Sequence, residues 1–122
     1  MPRKIVAGNW KMNNDLSQTE TLLKDLKKHI IPEDVTVMVA PSFTNIYPAF
    51  QLVREHPIQV IAQNMHQSKS GAFTGAVSVT MLKSVGVKTV ILGHSERRAY
   101  FNETDSLLAE KVTTALAHDM NV

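Results

Sequence analysis

The chain has 122 residues, with 13 Lys and Arg against 11 Asp and Glu, and it contains no Cys. This length is enough for one domain with a buried core. A net charge of +2 does not make the basic stripe that nucleic acids require, so we expect no nucleic-acid partner. The lack of Cys excludes a disulfide framework and thiolate metal sites, and it fits a reducing compartment.

No apolar run reaches the roughly eighteen residues that span a bilayer. The N-terminal segment MPRKIVAGNWKMNND is a poor signal peptide, because Asn9 and Lys11 interrupt its short apolar stretch. We therefore expect a globular, cytoplasmic protein with no membrane partner.

A short apolar run followed by a longer amphipathic segment recurs four times along the chain. The runs are rich in β-branched residues and scarcely alternate in polarity, which is typical of parallel strands buried on both faces. The four predicted strands are residues 5–7, 35–40, 58–62 and 89–92.

The intervening segments predict helices. The first opens with an S-x-x-E capping box formed by Ser17 and Glu20, and its apolar stripe runs through Leu22, Leu26 and Ile30. The second spans residues 45–54, with a proline near its start, where the missing N–H matters least.

Two further helices complete the pattern. Residues 78–85 predict a short helix that ends at Gly86, because glycine suits the left-handed position after a helix. The last helix begins near Thr104 and carries an apolar stripe of Leu108, Val112, Ala115 and Leu116.

Four strand–helix units with right-handed crossovers fit two α/β architectures. An open doubly wound sheet normally carries a Gly-rich nucleotide-binding turn after its first strand. Here that turn reads Gly8-Asn9-Trp10-Lys11, and neither G-x-G-x-x-G nor G-x-x-x-x-G-K-[ST] occurs. The other architecture is part of a (β/α)8 barrel, which needs roughly 250 residues when complete. Topology alone does not decide between them.

Polar residues follow the first predicted strand directly. Asn9 and Lys11 are two residues apart, so extended geometry would project both to the same side. A lysine at the mouth of a parallel sheet favours an anionic ligand, such as a phosphate or a developing enolate oxygen. The alternative is a solvated loop lysine beside a turn asparagine.

A second polar motif, GHSERR, follows the fourth predicted strand. His94 at that strand end could polarise a carbonyl group or shuttle a proton. A helix that starts at Ser95 would favour neutral imidazole through its positive N-terminal end. Glu96 could pair with Lys11 or with a neighbouring arginine. The alternative is a capping serine beside solvated charges.

Residues 64–77 form a long connection without helix or strand pattern, and such connections are usually functional or disordered. Phe73 stands at its tip between Gly71 and Gly75. Either a partner covers this apolar ring, or the loop folds the ring back onto its own surface.

Four strings of residues, in this order, resemble the triosephosphate isomerase family. They are GNWKMN after the first predicted strand, AQN at the end of the third, SGAFTGAVS in the long loop and LGHSERRAYFNETD after the fourth. GNWKMN and LGHSERR are highly specific to that family, and the resemblance extends over residues 1–122. It implies an α/β fold, a (βα)4 half of a (β/α)8 barrel with parallel strands, in which residues 1–122 form an incomplete single domain.

The resemblance also implies a reaction. The family interconverts dihydroxyacetone phosphate and glyceraldehyde 3-phosphate through an enediol(ate), without a metal or an organic cofactor. By resemblance, Asn9 and Lys11 contact the phosphorylated triose, and His94 is the neutral electrophile at its carbonyl oxygens. Glu96 is a supporting catalytic carboxylate. This family is itself the known example of a neutral histidine electrophile and of loop closure.

The same resemblance implies partners. Phe73, Thr74 and Gly75 would dock into a neighbouring subunit close to its Lys11 turn, which makes a homo-oligomer the expected state. In the family the proton-abstracting glutamate follows the sixth strand, whereas residues 119–122 stand where a fifth strand should begin.

A positioned general base contributes about 10²–10⁴-fold to a rate, so we expect residues 1–122 alone to be inactive. Half a barrel leaves strand edges uncovered, so we also expect a C-terminal half-barrel or a second copy as partner. The alternative is a non-catalytic half-barrel that assembles with itself.

Overall fold

The structure is a computed structural model that describes residues 3–122. These residues form two compact units, one up to Gln63 and one over Asn64–Val122, called here the first and the second unit. Within the described residues, no helix is long and apolar enough to cross a membrane.

The first unit contains a parallel three-stranded sheet. Its elements are β1 (Lys4–Asn9), α1 (Leu16–Leu26), β2 (Val35–Ala40), a 3₁₀ turn (Phe43–Asn45), α2 (Ile46–Val53) and β3 (Gln59–Val60). The strands lie in the order β1–β2–β3, and Val6 of β1 pairs with Val37 of β2. The α/β class and the parallel strands predicted from the sequence are confirmed.

Burial in this sheet is uneven. Val39 and Ala40 at the end of β2 are buried, as are Val60 and the residues just after it. By contrast, Ile5 of β1 is 61% exposed and Val6 is 60% exposed. The prediction that all strands are buried on both faces is therefore wrong for β1, which lies at one edge of the sheet.

The start of α1 differs from the prediction. Asp15 is the N-cap, and its side chain accepts a hydrogen bond from Gln18 N at 2.9 Å. The Gln18 side chain accepts in return from Asp15 N at 2.9 Å, which completes a capping box two residues before the predicted Ser17 box. The predicted stripe also runs too far, because Ile30 lies beyond the helix and is 96% exposed.

The second unit contains α3 (Val79–Ser84), α4 (Ser95–Tyr100) and α5 (Asp105–Ala117). Ser78 caps α3 and Thr104 caps α5, each through its side chain, and Gly86 has a φ of 91°, so these predicted boundaries are confirmed. The predicted stripe on α5 is only partly right. Leu108 and Ala115 are buried, but Leu116 is 60% exposed.

Residues 89–92, the predicted fourth strand, do not form a regular strand within the described residues. Thr89 instead makes an isolated parallel bridge with Asn121. Val90 N donates to Asn121 O at 3.0 Å, and Asn121 N donates to Lys88 O at 2.9 Å. The segment predicted to begin a fifth strand therefore pairs with the fourth run. Parallel pairing of these consecutive runs is what the barrel prediction expects.

Candidate functional site

The turn after β1 holds Asn9 and Lys11 in the first unit. The Asn9 side-chain oxygen accepts a hydrogen bond from Lys11 N at 3.0 Å. Lys11 has a φ of 56°, in the left-handed region that non-glycine residues rarely adopt. The extended geometry expected for this pair is therefore wrong, because the chain turns at Lys11 and the Asn9 side chain bonds to its backbone.

Gln63 fixes the same turn from the other side, and sequence reasoning missed it. Its side-chain NH₂ donates to Lys11 O at 2.8 Å and to Ala40 O at 2.8 Å. One amide group thereby ties the left-handed turn to the end of β2. A polar residue that closes a buried apolar run was the available signal, because such a side chain must find partners.

The second unit holds His94 and Glu96 at the start of α4. Gly93, with a φ of 71°, turns the chain, and His94 is the N-cap residue of the helix. His94 Nδ1 accepts a hydrogen bond from Glu96 N at 3.1 Å, while the carboxylate Oε2 of Glu96 lies 3.6 Å from the same nitrogen. The backbone N–H is the closer partner, so Nδ1 is the acceptor, and a neutral ring in this position carries its proton on Nε2.

The alternative interpretation of this motif was that Ser95 caps the helix. In the structure the N-cap is His94. The same Nδ1 contact to the N–H two residues on occurs at His56, with Ile58 at 3.3 Å, and at His66, with Ser68 at 2.9 Å. The contact alone does not mark a functional histidine. What distinguishes His94 is its place at the junction of an apolar run and a helix.

Glu103 is the buried carboxylate of the second unit. Its Oε2 accepts from Lys111 Nζ at 2.5 Å and from Arg97 Nε at 3.1 Å. Burial raises the pKa of Glu103, but the hydrogen bonds from Lys111 and Arg97 outweigh it and hold the pKa below its usual value of 4.5.

The arginines beside Glu96 pair with other carboxylates. Arg97 pairs with Glu103, and Arg98 pairs with Asp105 at the surface. The guanidinium of Arg98 lowers the pKa of Asp105. Both contacts connect α4 with the start of α5 and the segment before it.

The long loop closes through His66 N, which donates to Val77 O at 2.8 Å. The Phe73 ring stacks on the His66 ring with centroids 4.1 Å apart, yet it remains 47% exposed. At Gly71 an added Cβ would lie 2.7 Å from the Phe73 ring, so this close approach requires glycine. The Phe73 ring therefore contacts His66 of its own loop, and about half of the ring remains in solvent.

The structure thus brings the predicted site residues together in two sets. Asn9 and Lys11 share one turn of the first unit, with Gln63 behind them. His94 and Glu96 share one helix start of the second unit. Phe73, Thr74 and Gly75 lie in the loop of the second unit.

Comparison with known proteins gives the family. The family model for triosephosphate isomerase matches residues 4–122. The triosephosphate isomerase of Flavobacterium johnsoniae is 54% identical over 123 residues, covering 100% of this chain and 49% of that protein. Those of Flavobacterium psychrophilum and Clostridium acetobutylicum are 51% and 46% identical, covering 100% and 98% of this chain.

The chain spans about half the length of the curated relatives that it matches, 49% for the two Flavobacterium proteins. This share agrees with the prediction of half a barrel. With a family model matched over nearly every residue, the chain belongs to the triosephosphate isomerase family.

Proposed function

We propose that this chain is the electrophile-bearing half of a triosephosphate isomerase, which interconverts dihydroxyacetone phosphate and glyceraldehyde 3-phosphate. The observation that carries the proposal is the position of His94 as N-cap of α4, directly after the fourth apolar run, where its Nδ1 accepts a hydrogen bond from Glu96 N. Because that bond occupies Nδ1 as an acceptor, the ring proton on Nε2 can donate to a carbonyl oxygen of the substrate.

The roles of the residues follow from the charge that develops. When a base removes the proton next to the carbonyl group, the electron pair moves onto the carbonyl oxygen and an enediolate forms. A neutral imidazole N–H and the Lys11 ammonium group stabilise that oxygen and the substrate phosphate. Asn9 holds the Lys11 backbone and contacts the substrate, and Glu96 supports the histidine.

The base lies outside residues 1–122 in this proposal, in the part that follows the sixth strand in the family. Residues 1–122 alone are then inactive, and a C-terminal half-barrel completes the site. The completed protein is a cytoplasmic homo-oligomer without a cofactor, in which residues 73–75 dock into the neighbouring subunit. The exposed half of the Phe73 ring supports this docking.

Fragment complementation tests the proposal. We would coexpress residues 1–122 with the C-terminal half of the Flavobacterium johnsoniae relative, starting where its match to this chain ends. We expect isomerase activity from the complex and none from residues 1–122 alone. His94→Gln should lower kcat at least about 100-fold, since it removes the donor at the reacting oxygen.

His29→Gln is the matched control, because His29 is an exposed histidine of the first unit. It should leave kcat unchanged. Activity that survives His94→Gln, or turnover by purified residues 1–122 alone, would contradict the proposal. A second candidate function is a non-catalytic half-barrel that assembles with itself, which the exposure of Ile5 and Val6 favours. A stable oligomer that gains no activity from the C-terminal half would support that candidate.

A further inference from the structure

Four polar residues of the second unit form one partly buried network, called here the Glu103 cluster: Asn64, Arg97, Glu103 and Lys111. Glu103 and Lys111 are 6% and 4% exposed. Lys111 Nζ bridges Glu103 Oε2 at 2.5 Å and Asn64 Oδ1 at 3.0 Å. Arg97 Nε donates to the same Glu103 oxygen at 3.1 Å. Buried charges persist in proteins only when they are paired in this way.

Arg97 connects this cluster to His94. Its backbone N donates to His94 O at 2.9 Å, and its backbone O accepts from Glu103 N at 3.4 Å. Its guanidinium group also lies over the Phe101 ring, 4.4 Å from the centroid. Arg97 is therefore bonded to His94 through its backbone and to a buried carboxylate through its side chain.

The helix that carries these residues is short and packs no residue into the core. α4 is six residues long and has no buried residue. Short helices take most of their stability from an apolar face packed on the core, and α4 lacks one. The ion pair of Arg98 with Asp105 involves an 89% exposed aspartate side chain, and exposed pairs contribute little. The buried Glu103 carboxylate is the strong anchor of α4.

We propose that Glu103 is a positioning residue for His94 and Glu96: through Arg97 it holds the first turn of α4, in which Glu96 N donates to His94 Nδ1. This inference rests on the proposed function only in naming the reaction in which His94 takes part. The geometric claim concerns the second unit and stands independently of any activity.

The second carboxylate oxygen of Glu103 determines which variant is the best test. Glu103 Oε1 is buried and has no hydrogen-bond partner among the described residues. A glutamine at this position keeps the shape but removes the charge that binds Lys111 and Arg97. Its NH₂ group would then lie either against these two cations or at the Oε1 position, which has no hydrogen-bond partner among the described residues. Glu103→Gln therefore weakens the anchor without creating a cavity.

The first readout is the ¹⁵N NMR spectrum of the His94 ring in the 122-residue protein. In the wild type we expect one acceptor nitrogen and one protonated nitrogen, the pattern of the Nε2–H tautomer. In Glu103→Gln the two signals should move toward the averaged pattern of an exposed histidine such as His29. Asp105→Asn, which breaks only the surface pair between α4 and α5, is the matched control and should leave the His94 signals in place.

A paired variant covers the case in which Glu103→Gln does not fold. Glu103→Leu combined with Lys111→Met removes both buried charges together, and such replacements are often tolerated. Arg97 loses its anchor in this variant too, so the His94 signals should move in the same way. Unchanged His94 signals in whichever variant folds would overturn the proposal.

The second readout is the kinetics of the complex with the C-terminal half. A misplaced catalytic group costs up to roughly 100-fold, so we expect kcat of Glu103→Gln to fall about 10- to 100-fold. KM should change less than about threefold, because Lys11 and Asn9 lie in the other unit. An unaltered kcat in an active complex would contradict the positioning role. If the wild-type complex has no activity, the proposed function fails while the NMR readout still decides this inference.

Discussion

Replacing Lys111 by Met tests how much the buried ion pair contributes to stability. Lys111 contacts Glu103 Oε2 at 2.5 Å, and their side chains are 5% and 2% exposed. Removing one partner of a buried pair costs about 3–5 kcal/mol, because the other charge is left in a poorly solvated place. Arg97 remains as a partner at 3.1 Å with a 31% exposed side chain, so we expect the lower end, about 3 kcal/mol.

The assay is urea denaturation followed by far-UV circular dichroism, with wild type, Lys111→Met and the paired Glu103→Leu, Lys111→Met variant compared under one condition. The paired variant removes both charges, so it should be within about 1 kcal/mol of wild type. Lys111→Met should therefore be the less stable of the two variants, although it changes fewer residues. A loss of unfolding free energy below about 1 kcal/mol in Lys111→Met would refute the reasoning. A paired variant that is less stable than Lys111→Met would refute it as well.

Three further predictions concern stability. Since the folded pKa of Glu103 lies below 4.5, its charged form contributes stability that is complete above pH 4.5 and is lost as pH falls through the folded pKa. The difference in unfolding free energy between wild type and Glu103→Gln should therefore shrink below pH 4.5. A difference that stays constant with pH would contradict this. Asp15→Ala should lower the free energy of unfolding by about 1 kcal/mol in a thermal or urea melt, while Ser17→Ala lowers it by under about 0.5 kcal/mol. The reverse order would show that Ser17 forms the capping box. Gly93→Ala should lower the melting temperature more than Gly75→Ala. Both glycines have positive φ, but of these two only the Cβ added at position 93 contacts a neighbour, Leu108 Cδ1 at 3.1 Å. Equal melting temperatures would show that this contact relaxes.

Features that depend on neighbours in the sequence were predictable here. The caps at Ser78 and Thr104 act on N–H groups three residues away, so the local sequence carries them. The start of α1 was harder, because Asp15 with Gln18 and Ser17 with Glu20 both fit a capping box. Asn14 decides between them: its φ of 70° turns the chain immediately before Asp15.

Features that depend on long-range partners were not predictable. Lys111 is next to the apolar stripe of α5, but a lysine there is buried favourably only with partners such as the Glu103 carboxylate eight residues earlier. The role of Gln63 depends in the same way on Lys11, 52 residues away in the chain. In the candidate site, residue types and spacing identified the turn after β1 and the start of α4. They did not identify the residues that hold each in place.

The exposed edge strand β1 has a consequence for handling this protein. Among the described residues β1 pairs only with β2, and its Ile5 and Val6 side chains are largely in solvent. A β-branched segment at a sheet edge is a template on which strands of other molecules add, which is how aggregation begins. Arg3 precedes β1 and Lys4 is its first residue, so two positive charges stand before Ile5 and Val6 as gatekeepers. Loss of these two charges should therefore make concentrated solutions of this protein aggregate more readily.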